Sequence, residues 1–287
     1  MLAHLPSALR LRPVLPILSR RATRVGVYLA ADFDEQTRRA RDEGRRLWAR
    51  SFENAYAAWL TAANVVFARG RRLAALAGRY NDNVIETVPL GHTFPPTVRN
   101  PAREEISLLY LGKLDDGKGV DVLIEAARIL RDQQEVPVRL DIVGDGPQRK
   151  LLEALSRQVK VENCVRFTGW IDDPSELSVY LSRASSLVVP SISPEGVPRV
   201  IDEAMSLGVP VIATRVGGIP AEFEADELEL VPPARADALA QAVTLLHNDP
   251  TRRAVLAAAA ERRASRFRGT SAGQQHATLL IGGDQNA

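Results

Sequence analysis

A chain of 287 residues with 45% hydrophobic and 25% charged side chains has the make-up of a globular protein and the length for one large core or two smaller ones, which excludes a disordered or fibrous chain. The formal charge of +2 hides an uneven spread: residues 1–100 hold 16 Arg against 8 acidic residues, a net of +8, which leaves −6 for the remainder. One cysteine, Cys164, excludes an internal disulfide and points to a reducing cytoplasm, with a buried, inert thiol as its default role.

The first 24 residues are basic with apolar stretches, but Pro6, Pro13 and Pro16 break any helix and Arg10 and Arg12 interrupt the apolar run. The segment reads as neither a signal peptide nor a membrane span. Residues 25–30 read as a strand, 36–60 as a long helix, 65–68 as a strand, 71–77 as a helix and 84–88 as a strand. Arg38, Arg39, Arg41, Arg45 and Arg46 alternate with Asp42 and Glu43, the pattern of a solvated helix face; no recognition motif accompanies the charge, so nucleic acid is not an expected partner. Pro95, Pro96 and Pro101 mark an interdomain linker at 96–103, separating an α/β domain at 1–95 from a larger one at 104–268.

That second domain alternates strand and helix at a regular period. Residues 108–111 form an apolar run ending in Gly112-Lys113-Leu114-Asp115-Asp116-Gly117-Lys118-Gly119, and helical spacing follows at Val122, Leu123, Ala126, Ala127 and Leu130. A strand at 138–143 closes on Gly144-Asp145-Gly146-Pro147, then come a helix at 148–158, the run Val165-Arg166-Phe167-Thr168-Gly169-Trp170-Ile171, the acidic pair Asp172-Asp173, and a short helix opened by Pro174-Ser175. Further strands lie at 187–189 and 209–213, and amphipathic helices at 237–246 and 252–267; residues 269–287 are a polar tail. Such alternation makes a Rossmann-like, doubly wound parallel sheet with helices on both faces, whose ligands bind at the carboxyl ends of the strands.

Glu195 and Glu203 stand eight residues apart, Glu195 in a Pro194/Gly196 turn and Glu203 about one turn inside the helix that Pro198 opens. Taken alone, such a pair is an exposed turn glutamate and an exposed helix glutamate. Set beside two lysines at a strand-to-helix turn and a helix start whose N–H groups attract phosphate, the pair is suited to the hydroxyls of a nucleotide-sugar. Acid–nucleophile chemistry of a glycosidase is the rival use of two carboxylates, and the lysines argue for phosphate instead. Arg149 occupies the third glycine position of a dinucleotide fingerprint, no Walker sequence is present, and His4, His92, His247 and His276 lack ligand spacing.

The ordered run of Gly112-Lys113-Leu114 with Lys118-Gly119, Val143-Gly144-Asp145-Gly146-Pro147, Phe167-Thr168-Gly169, Glu195-x7-Glu203-Ala204-Met205 and Gly208-Val209-Pro210-Val211-Ile212-Ala213-Thr214 with Gly217-Gly218-Ile219-Pro220 resembles the C-terminal half of a retaining group 1 (GT4-type) glycosyltransferase of the GT-B fold. The resemblance implies that Lys113 and Lys118 hold the donor diphosphate, Lys113 where arginine is commoner. It implies that Glu195 meets the transferred sugar, that Gly196 and Val197 offer backbone amides, that Glu203 binds the ribose hydroxyls, and that Ile171 and Asp173 border the base. The reaction implied is sugar transfer from a nucleotide-sugar to a glycan or lipid-linked acceptor with retention of configuration, with neither metal nor other cofactor. The basic N-terminal half then suits an anionic membrane surface, placing a cytoplasmic protein at its inner face.

By the same resemblance the N-terminal domain is incomplete. Its closing part ends in Thr87-Val88-Pro89-Leu90-Gly91, with His92 near a position where the family often has asparagine, and its opening strands are expected to be missing. Three readings follow: a truncated enzyme, a split enzyme whose other half is a partner chain, or a nucleotide-sugar-binding subunit without catalysis.

Overall fold

The computed structural model describes residues 2–5, 25–29, 41–42, 44, 46–87, 105–133, 137–193 and 195–267. The expected linker at 96–103 and the polar tail at 269–287 lie outside them, as do residues 88–92. The chain divides into two compact units, one comprising Met1–Pro89 and Gly269–Ala287 and the other Leu90–Arg268.

The first unit holds a parallel sheet in the order β1 (Leu2–Leu5), β2 (Gly26–Leu29), β3 (Val65–Arg69), β4 (Val84–Thr87). Helix α1 (Arg46–Ala62) connects β2 to β3, and α2 (Gly70–Ala77) connects β3 to β4. Strand β1 went unread in the sequence. Of the helix expected at 36–60, residues 36–40 lie outside the described residues, Arg41 and Asp42 are helical, and a turn closes at Gly44, whose N–H bonds the Arg41 carbonyl at 3.0 Å, before α1 runs on from Arg46. Val27, Leu29, Val66 and Ala68 pack under Tyr56, Trp59, Leu60, Leu73 and Leu76, while Tyr28, Val65 and Phe67 pack on the other face. Asn81 caps α1, its Nδ2 donating to the Leu60 and Ala63 carbonyls at 2.8 and 2.7 Å, so the orphan carbonyls at this helix end find a partner. Of the five arginines expected on a solvated face, Arg41 and Arg46 are exposed, Arg41 pairing with Glu53 at 2.5 Å, while Arg38, Arg39 and Arg45 lie outside the described residues.

The second unit is a six-stranded, all-parallel sheet formed by β5 (Ile106–Leu111), β6 (Val138–Val143), β7 (Val165–Gly169), β8 (Ser186–Val189), β9 (Val211–Thr214) and β10 (Glu229–Val231), in the spatial order β10-β9-β8-β5-β6-β7. The intervening helices are α3 (Val120–Gln133), α4 (Arg149–Gln158), α5 (Pro174–Arg183), α6 (Arg199–Ser206), α7 (Ile219–Glu222), α8 (Ala236–Asn248) and α9 (Pro250–Phe267). All six residues of β5 are buried, the mark of a strand covered on both faces. Ile106, Leu108 and Tyr110 face α3, α4 and α8, and Leu109 and Leu111 face α5 and α6. The chain leaves β5 toward β6 and β7, then returns to β8 on the opposite side. The winding therefore reverses between β5 and β8, the place where open α/β sheets gather their ligands. Strand β10 and the short α7 were not read in the sequence. Among the described residues no helix is long and apolar enough to cross a membrane.

Candidate functional site

At the reversal point the loops after β5 and β8 are locked together. The Gly117 carbonyl accepts from the N–H groups of Ile192 and Ser193 at 2.8 and 3.1 Å. Leu114, fully buried between the β5 and β6 loops, donates its N–H to the Asp145 carbonyl at 2.9 Å and accepts from the Gln148 N–H at 3.0 Å. On this frame the Lys118 ammonium, 33% exposed, pairs with Glu195 Oε2, and the Ser191 hydroxyl donates to Glu195 Oε1. Thr214, at the end of β9, holds Ser191 in turn through Oγ1 to the Ser191 carbonyl at 2.6 Å.

The backbone of Glu195 is held from a third side. The Gly218 N–H bonds the Glu195 carbonyl at 2.9 Å. Gly217 has φ +54°, and a Cβ there would lie 2.6 Å from the Glu195 nitrogen and 2.8 Å from its carbonyl carbon, with the oxygen closer still. Glycine is required at this position twice over, by backbone conformation and by space. The turn glutamate is thus positioned by connections after β5, β8 and β9.

Lys113 is 64% exposed and pairs with Asp115 at 2.8 Å, while its carbonyl accepts from the Tyr110 hydroxyl at 2.9 Å. Burial, then the charges of Glu195 and Asp115, push the Tyr110 phenol far above its ordinary value of 10, so it stays a proton donor to that carbonyl. Gly196 is exposed, with nothing within 4 Å of the position a Cβ would take, and Val197 is half-buried against Ile201 and its neighbours. Glu203 lies one turn into α6 and is buried. Ile171 and Asp173 follow β7, two strands from β5; Ile171 packs on the apolar core, and the Asp173 carboxylate caps α5 by accepting from the Ser175 N–H at 2.8 Å. Sequence reasoning missed Ser191 and Tyr110. Neither carries a local pattern, and Ser191 gains its role only when β9 is in place. Among the described residues no three His, Cys, Asp or Glu side chains gather to hold a metal ion.

Comparison with known proteins bears on these loops. Residues 97–263, which contain every loop of the site, match the model of the family described as glycosyl transferases group 1. The chain belongs to this family. Two curated members similar to it are a putative colanic acid biosynthesis glycosyltransferase of Escherichia coli, 37% identical over 154 residues, and a D-inositol 3-phosphate glycosyltransferase of Pseudarthrobacter chlorophenolicus, 33% identical over 183 residues. These alignments take in 51% and 60% of this chain and 37% and 43% of the relatives, so this group 1 chain matches less than half the length of each. Among solved structures, HepE of Anabaena in complex with UDP matches with a TM-score of 0.72 at 20% identity, over 97% of this chain and 78% of that one. Sucrose-phosphate synthase of Thermosynechococcus elongatus matches with a TM-score of 0.69 at 24% identity, over 98% and 73%. These neighbours are GT-B glycosyltransferases, and at such identities they establish the fold of this group 1 protein, a Rossmann-like α/β architecture.

Proposed function

We propose that the protein binds a nucleotide-sugar at the β5/β8 reversal and serves the transfer of its sugar, with retention of configuration, to a glycan or lipid-linked acceptor. The observation that carries this reading is the constellation of Lys118, Glu195 and Ser191 at that point in a group 1 chain. A carboxylate clamped between an ammonium and a hydroxyl presents oriented acceptor groups to sugar hydroxyls, while the same ammonium lies ready for phosphate.

When the bond from the anomeric carbon to the diphosphate oxygen breaks, the electron pair leaves on that oxygen. Lys118, Lys113 and the first-turn amides of α6 supply positive charge for it, preorganised by the Gly117–Ile192 lock. Gly196 and Val197 offer amides beside the sugar, Glu203 takes the ribose hydroxyls, and Ile171 and Asp173 border the base. The HepE structures hold UDP or UDP-glucose, which supports a nucleotide-sugar as donor here. A cytoplasmic setting accords with the single, half-buried cysteine.

Calorimetric titration of the purified chain with UDP-, GDP- and ADP-sugars tests the reading. One nucleotide should bind, and Lys118→Ala combined with Glu203→Ala should weaken it at least about tenfold. A folded wild-type chain that binds none of them would sink the proposal. Turnover by the chain alone, against turnover only when a second polypeptide is added, separates a catalyst from a binding subunit of a split enzyme.

A further inference from the structure

Arg263 lies on α9, on the face of the sheet covered by α6, and is 2% exposed. Its Nε donates to Asp202 Oδ1 at 2.7 Å, its Nη2 to Glu222 Oε1 at 2.7 Å, and Glu227 Oε1 stands 3.9 Å from Nη1. The guanidinium also lies over the Phe223 ring, 4.3 Å from its centroid. Asp202 is the residue before Glu203 in α6, and Glu222 ends α7, the helix that starts directly after the Gly217–Gly218 pair backing Glu195. One side chain therefore ties together the helix that bears one carboxylate of the site and the helix behind the other.

Stability alone is a poor account of this cluster. Buried ion pairs recover their desolvation cost only with difficulty, and apolar side chains of equal volume would hold α9 in place as well. What an apolar contact lacks is the direction of a hydrogen bond, which sets the roll of a short helix more finely than packing alone. α6 has eight residues; Ile201, Ala204 and Met205 seat its apolar face in the core, and the Asp202–Arg263 bond adds the directional constraint on its roll. A roll of about 10° would carry a carboxylate some 6 Å from the axis by roughly 1 Å, enough to spoil a hydrogen bond to a ribose hydroxyl. Asp202 and Glu203 project about 100° apart, so holding the direction of one holds the other. Burial opposes the charge on Arg263, but the Asp202 and Glu222 carboxylates outweigh it and keep the guanidinium charged.

We infer that Arg263 is a positioning residue for nucleotide recognition: through Asp202 it sets the azimuth of α6 so that Glu203 presents its carboxylate to the ribose hydroxyls. The inference rests on the nucleotide-sugar reading above.

The test measures the affinity of the full chain for the ribonucleoside diphosphate it binds, among UDP, GDP and ADP, and for the 2′-deoxy counterpart. Wild type should prefer the ribo form by about tenfold or more, the weight of a hydrogen bond to a charged group. Asp202→Ala removes the acceptor of the Arg263 Nε–H while leaving Arg263 compensated by Glu222, and should fold; its preference should fall to about twofold, with affinity for the deoxy form unchanged. Arg263→Met should behave likewise where it folds, and Arg263→Lys should recover part of the preference, since a point charge cannot bridge two carboxylates as a fork does. Leu256→Ala on the same helix opens a core cavity and lowers the melting temperature, yet should keep the full preference.

A folded Asp202→Ala with the wild-type ratio overturns the inference, as does a Leu256→Ala that loses the ratio equally, which would make any loosening of α9 sufficient. Wild type that binds the ribo and deoxy forms alike removes the role of Glu203 and this inference with it, while leaving the donor site standing. Wild type that binds no nucleoside diphosphate removes the donor reading itself, and the inference falls as a consequence.

Discussion

Replacing Gly217 with alanine isolates the contribution of the β9 loop to the place of Glu195. The φ of +54° costs a non-glycine residue about 1–2 kcal/mol. The added Cβ cannot stand 2.6 Å from the Glu195 nitrogen, so the segment must move and break the Gly218 N–H bond to the Glu195 carbonyl, a further loss of about 1 kcal/mol. Stiffening of the unfolded chain returns about 0.4–1 kcal/mol. The net is a destabilisation of about 2 kcal/mol, with loss of nucleotide binding because Glu195 leaves Lys118 and Ser191.

Two other glycines serve as rulers. Gly208 has φ +69° and open space, so Gly208→Ala carries the conformational cost alone, about 0.5–1 kcal/mol net. Gly196 has neither the conformation nor a neighbour within 4 Å, so Gly196→Ala should change stability by no more than about 0.5 kcal/mol. Urea unfolding followed by far-UV circular dichroism ranks the three. If Gly217→Ala and Gly208→Ala unfold at the same urea concentration, the backbone contact with Glu195 does not exist as described.

Tyr110→Phe removes the donor to the Lys113 carbonyl and should cost about 1 kcal/mol in urea unfolding, with nucleotide affinity falling only a few-fold because Lys118 is anchored separately. Asp173→Ala removes the α5 cap and should cost about 1 kcal/mol; if Asp173 also borders the base, competition between UDP and GDP will shift as well, whereas a cap alone leaves that selectivity unchanged. His247 is held below its ordinary value of 6.5 by burial and then by Arg253, so the unfolded chain takes up the proton first as pH falls. Stability is therefore lost as pH drops through about 6.5, and His247→Gln should flatten the melting temperature over that interval relative to wild type.

The parallel sheet of the second unit was legible because its strands are largely buried and rich in apolar residues, as in Ile106–Leu111, where only Ser107 interrupts, and in Val138–Val143, where Leu140, Ile142 and Val143 outweigh Arg139 and Asp141. Strands that exist only by pairing were not. Glu229–Val231 has three residues, one of them acidic, and becomes a strand through its register with Ile212, Ala213 and Thr214. Leu2–Leu5 likewise takes its identity from Gly26–Leu29.

The site divides in the same way. Lys118 and Glu195 sit in turns whose glycines and prolines announce them, but their meeting spans 77 residues of chain and no local pattern records it. Arg263 lies 61 residues from Asp202 and directly follows Arg262, a residue of the same type whose side chain is exposed. Burial, not residue type, sets Arg263 apart, and burial is a property of the assembled fold.

Three separate crossovers converge on Glu195, from β5 through Lys118, from β8 through Ser191 and from β9 through Gly218. A carboxylate held in this manner has no half-built setting. During refolding the carboxylate is unplaced until the last of these connections has docked, so ligand recognition should not return before the native sheet does. On the proposed reading, nucleotide capture would report the completion of the sheet.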